Sequence, residues 1–86
     1  MGFHEARCHI VASLHLATDC MNDPRVAASL ADDAADLSFS ELEMDSLAAM
    51  EFCIEIEERS GVEIDPADLI RYPSVVALAS MLSARS

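Results

Sequence analysis

From Asp45 to Arg59 the chain runs without a glycine or a proline, and Ser60-Gly61 then supplies a helix-stopping signal, which predicts one long helix over that stretch. Within it Ala49, Phe52, Cys53 and Ile56 recur at offsets of three, four and seven and form a stripe suited to a core. A second apolar line, Leu47, Met50 and Ile54, also has helical spacing but lies to one side of the first. Glu51, Glu55, Glu57 and Glu58 occupy the remaining surface. Two apolar lines are more than a four-turn surface helix needs for its own core, so the second is a candidate contact surface.

The other segments arrange themselves around this helix. Phe3, Arg7, Ile10, Leu14 and Ala17, thickened by Val11, predict a first helix over 3–17. Asn22-Asp23-Pro24 breaks that pattern, and Asp23 with Pro24 suits the start of a short helix through Leu30. Asp32, Asp33 and Asp36 then form an acidic connector, expected to be a solvated loop because it lacks the glycine of a calcium-binding turn. Val62-Glu63-Ile64 is an extended link, Asp65-Pro66 opens a brief helical turn over 67–70, and Tyr72-Pro73 ends it. Ser74 caps a last helix whose face is Val75, Leu78, Ala79 and Leu82, with Arg85 near its negative end. The sum is an all-α chain of three main helices with one or two short ones. With no Trp, one Tyr and three Phe, the composition also disfavours a β fold.

Charge and cysteine usage exclude several function classes. Five Arg and no Lys face 16 Asp and Glu, for a net charge of −11, so a nucleic-acid partner is not expected. The 52% hydrophobic content is too high for an acidic disordered tail. No apolar run reaches the roughly 20 residues of a membrane span, and no signal peptide opens the chain, which suggests a cytoplasmic setting. Cys8, Cys20 and Cys53 are odd in number and widely spaced, unlike a disulfide framework, and are expected to be reduced thiols. His4, Cys8 and His15 share one face of the first helix, but no fourth ligand is visible and no metal site is expected there.

Ser46 stands at the start of the acidic helix, directly after Asp45. A serine at such a place is often only a cap, yet a phosphate attached to it would meet free backbone amides and the positive end of the helix dipole. A hydrolytic role fits poorly. The positions two before and two after Ser46 hold Met44 and Ala48 rather than the glycines of a nucleophile elbow, and no histidine lies in the second half of the chain. Ser46 is a residue to be acted upon.

The run Phe39-Ser40-Glu41-Leu42 through Asp45-Ser46-Leu47, followed by Met50, Glu51, Ile54, Glu57 and Glu58, resembles the acyl carrier proteins and their peptidyl carrier relatives. Gly61-Val62-Glu63-Ile64, the short helix after Asp65, and Tyr72-Pro73-Ser74-Val75 agree with that family in order. The likeness is closest over 36–82, within one carrier domain taken to span 1–86. Glu43 departs from it, standing where the family has a glycine, and the connection over 18–35 is longer than usual.

The resemblance implies a small four-helix bundle of the acyl-carrier type, with an extra short helix in the long first connection. It implies that a phosphopantetheinyl transferase attaches 4′-phosphopantetheine from coenzyme A to Ser46, with magnesium and Asp45 helping to place the phosphates. Acyl groups would then travel as thioesters, and the carrier itself would catalyse nothing. Acyltransferases, ketosynthases or other acyl-processing enzymes with basic docking patches would be steered by Glu51, Glu55, Glu57 and Glu58 and gripped by Leu47, Met50 and Ile54. A monomer is expected. The acidic helix favours acyl cargo, as in polyketide or fatty-acid-like biosynthesis; an aminoacyl or peptidyl carrier of nonribosomal peptide assembly and an unmodified acidic adaptor are the alternatives.

Overall fold

Five α-helices and one 3-10 turn account for most of the chain in a computed structural model, which describes residues 1–17, 24–32, 35–42 and 44–85. They are α1 (Phe3–Ala17), α2 (Pro24–Ala31), the 3-10 segment Phe39–Leu42, α3 (Ser46–Ser60), α4 (Pro66–Arg71) and α5 (Val75–Arg85). Each element follows from its own residues. Gly61 takes the left-handed φ of 74° that a side chain resists, and its N–H closes α3 on the Glu57 carbonyl at 2.8 Å. At α4 the Asp65 side chain accepts from the Asp68 amide while the Asp68 side chain accepts from the Asp65 amide, a reciprocal cap that lets six residues hold a helix. No helix of the described residues is long and apolar enough to cross a membrane.

α1 packs against both α3 and α5, and α4 lies against α3. Ile10 and Leu14 from α1, Phe52 and Ile56 from α3, and Leu78 and Leu82 from α5 are fully buried and form the centre of the core. Val26 and Leu30 carry α2 onto the same cluster. The expected stripes of α3 and α5 are therefore seated inward, although Ala49 is only half-buried. α1 is rotated from its expected face: Ala6 and Ser13 are buried, whereas Phe3 stays 40% exposed. Small side chains on the seam let α1 approach its two neighbours closely, and the buried Ser13 hydroxyl is satisfied by donating to the His9 carbonyl.

Arg7, on that seam, is almost wholly buried and donates through Nη2 to the carbonyls of Ser29 and Asp32 at 3.2 and 2.7 Å. Those carbonyls belong to the end of α2 and the residue after it, which no further helical turn could satisfy. The guanidinium thus serves as a cap supplied from another helix. Asp23, Cys20 and Asp33 lie outside the described residues, as does all of 18–23.

Asp36 is exposed, as expected of the connector, but it is also tied to the bundle. Its Oδ1 accepts from the amides of Leu37 and Val76 at 2.8 and 2.9 Å, the second reaching across 40 residues to the first turn of α5. The Val75 amide donates to the Leu37 carbonyl, the Ala77 amide to the Ser74 hydroxyl, and the Phe39 amide to the Pro73 carbonyl. The first turn of α5 is thereby satisfied largely by the segment that leads to Ser46. Partial burial pushes the Asp36 carboxyl up, but the Val76 amide, the Ser74 hydroxyl, the Leu37 amide and the Arg7 charge together outweigh it and hold the group below the ordinary aspartate range. One residue past this stitch, Phe39 meets the buried Phe52 edge to face, with ring centroids 5.6 Å apart and planes at 67°.

Phe52→Ala is expected to cost about 3 to 5 kcal/mol, a large part of the roughly 5 to 15 kcal/mol that holds a domain together, and urea unfolding measures it. Asp36→Ala should cost about 1 kcal/mol at neutral pH, as the loss of a helix cap does. Because the Asp36 carboxyl is depressed in the folded state, its contribution is present above the ordinary aspartate range and is lost as pH falls through the lowered value. Unfolding curves recorded at successive pH values should therefore converge for the two proteins at the acid end.

Candidate functional site

Asp45 precedes α3 in an extended conformation, φ −80° and ψ 179°, and its Oδ1 accepts from the Ala48 amide at 2.8 Å while its carbonyl accepts from Ala49 at 2.9 Å. It is the N-cap, as its residue type suits. The cap leaves the amides of Ser46 and Leu47 without an acceptor among the described residues. Ser46 is the first helical residue, and it is exposed. A reachable hydroxyl therefore sits beside two free N–H groups at the positive end of a four-turn helix, which suits it to carry an anionic ester. Asp45 keeps its other oxygen, Oδ2, outside the cap bond.

An open apolar groove of about 540 Å³ starts at this hydroxyl and runs between α3 and α4. Phe39, Met44, Ala49, Met50 and Leu69 line it, and Ile70 closes its far side. Its lining, among the described residues, includes the Asp45 carboxylate and no histidine. Ala49, from the stripe expected to face the core, is half-buried and lines this open groove instead. Ile70, 81% exposed, is one of the α4 lining residues, with Pro66 and Leu69, that sequence reasoning missed. Its signal was available in the adjacent Leu69: a helix of six residues cannot turn two consecutive large apolar side chains toward one neighbour.

The second apolar line of α3 faces solvent as its spacing predicts, with Leu47 65%, Met50 53% and Ile54 50% exposed. Glu51, Glu57 and Glu58 are exposed around it. Glu55 differs, being half-buried with its Oε2 3.9 Å from the Arg59 Nε one turn on. The four glutamates expected to act alike are therefore not equivalent. Glu43, where the family glycine would stand, lies outside the described residues.

Two other clusters hold no comparable chemistry. Burial pushes the Cys53 thiol up to about 11, and the Asp65 and Asp68 charges push in the same direction, so it stays protonated near neutrality. On α1 the Cys8 Sγ lies 3.9 Å from the His4 Nε2 and His15 is exposed on the same helix, but among the described residues no three His, Cys, Asp or Glu side chains converge as a metal site requires.

No curated protein and no solved structure matches the chain significantly. A family model does, over residues 25–82 and described as a phosphopantetheine attachment site, and this span holds Ser46, both apolar lines of α3, the groove and the stitch to α5. The chain belongs to the family of acyl and peptidyl carrier proteins, whose members bear covalently attached 4′-phosphopantetheine.

Proposed function

We propose that Ser46 is the residue that receives the phosphopantetheine arm and that the protein is an acyl carrier. The observation that supports this most directly is the exposed Ser46 hydroxyl beside the unclaimed Ser46 and Leu47 amides at the head of α3. In the transfer, the Ser46 Oγ attacks the pantetheine-side phosphorus of coenzyme A; an O–P bond forms, the pyrophosphate O–P bond breaks, and adenosine 3′,5′-bisphosphate departs while the hydroxyl proton passes to a base on the transferase. The free amides would face the phosphodiester, and Asp45, whose Oδ2 is outside the cap bond, would help hold a magnesium that neutralises the pyrophosphate charge. Once attached, the arm supplies a terminal thiol on which acyl groups ride as thioesters.

Carriers of this family work with phosphopantetheinyl transferases and acyl-processing enzymes and generally catalyse nothing themselves. Here the partners are acyltransferases, ketosynthases or related enzymes with basic patches. A net charge of −11 draws such a patch in at long range, and Leu47, Met50 and Ile54 supply the short-range contact, Met50 being pliable enough for several surfaces. The density of carboxylates along α3 favours acyl over aminoacyl cargo, in polyketide or fatty-acid-like biosynthesis. The setting is cytoplasmic and the protein a monomeric carrier domain.

Incubation with coenzyme A, magnesium and a broad-specificity transferase should add one phosphopantetheinyl group by intact mass spectrometry, and Ser46→Ala should abolish the gain. A gain that survives the substitution would move the attachment point elsewhere. Loading the holo protein from a panel of acyl and aminoacyl donors should favour the acyl donors. Ile54→Ser, on an exposed site, is expected to shift stability by no more than about 0.5 kcal/mol yet slow transfer to a partner enzyme several-fold. Comparable losses of stability and transfer would instead make Ile54 a core residue.

A further inference from the structure

At 100° per residue, Leu47, Glu51, Ile54 and Glu58 fall within roughly 60° of one another on α3 and form a single exposed strip in which apolar and acidic side chains alternate. Met50 and Glu57 border it on one side, and Glu55 and Arg59 on the other. The two borders are not alike in charge. Glu51, Glu57 and Glu58 have no cationic side chain against them among the described residues, whereas Glu55 has Arg59 at 3.9 Å.

An unpaired carboxylate acts on an approaching protein as a net charge. A carboxylate and a guanidinium one turn apart on a helix, 3.9 Å from each other, act as a small dipole, whose field dies off faster with distance and is further damped over the roughly 8 Å screening length at physiological ionic strength. The Glu55–Arg59 flank is therefore close to neutral as seen from a docking distance. A partner cation reaching for that side meets another cation.

We propose that Arg59 is a specificity-determining residue. Paired with Glu55, it offsets the acidic charge on one flank of α3 and directs recognition by basic partner proteins to the side that carries Glu51, Glu57 and Glu58 beside Leu47 and Ile54. The inference rests on the carrier assignment above and goes further by naming which carboxylates are read and what restricts them. Arg59 contacts no cargo and acts through Glu55, so its effect is on association rather than on chemistry.

The test uses a phosphopantetheinyl transferase with a basic carrier-binding face as the probe, with coenzyme A and magnesium, and follows kcat/KM for holo-protein formation at low and high salt. Arg59→Gln should raise kcat/KM at low salt by about threefold, Arg59→Glu should raise it more, and both gains should vanish at high salt. Arg25→Gln changes the net charge by the same single unit from α2 and should leave the rate at the unsubstituted value. A rate for Arg59→Gln at or below the unsubstituted protein would overturn the proposal, and so would an equal gain from Arg25→Gln, which would reduce the effect to overall charge. Far-UV circular dichroism of each variant checks the fold, and Arg59→Ala carries the same comparison if the Gln variant unfolds. Failure of the carrier assignment itself has a different signature, since the unsubstituted protein would then show no Ser46-dependent gain in mass.

Discussion

The hydrogen bonds between residues 36–39 and the start of α5 are the constraint on which the site depends. Helix starts leave amides that must find acceptors, and α5 finds several of its own on a segment some 40 residues earlier: the Asp36 carboxylate and the Leu37 carbonyl. In return the segment is held against the bundle, so that Phe39 lands on the buried Phe52 and the 3-10 turn after it delivers the chain to Asp45. The same need met locally at one helix and remotely at another separates the two ends in function. α5 is sewn in, whereas α3, capped only through Ala48 and Ala49, keeps two amides and a hydroxyl at the surface.

α3 carries two tasks on one cylinder. Its inner face, Phe52, Cys53 and Ile56, belongs to the core, and its outer face exposes more apolar surface than solubility alone would favour. That division leaves the outside of the central helix open to solvent while the inside holds the fold. α4, short and doubly capped, completes the arrangement by walling the groove that begins at Ser46.

Much of this was legible in the order of residues. The ends of α3 follow from Asp45 and Gly61, and its two apolar lines from a period of 3.6, because both depend on neighbours within one or two turns. Contacts set by distant parts of the chain were not legible. Nothing near Asp36 announces that one of its partners is Val76, forty residues on. Arg7 could be put on the buried seam of α1 by spacing, but the carbonyls that make its burial tolerable come from α2 and the residue after it. Phe3 followed the helical period and still stayed outside, since the packing of α1 between two helices selects the smaller Ala6 and Ser13. Spacing does place Arg59 one turn after Glu55; treating the acidic face as uniform obscured it.

Cys53 sits on the same helix as Ser46, about two turns along, in a protein whose family holds its cargo on a sulfur. A second nucleophilic sulfur so near could capture that cargo by thioester exchange, which proceeds through the thiolate. Burial, with the Asp65 and Asp68 charges, pushes that thiol up to about 11, so it stays protonated near neutrality, and the side chain is walled in by the core. The bundle thus keeps the one thiol on α3 protonated and out of reach of a thioester.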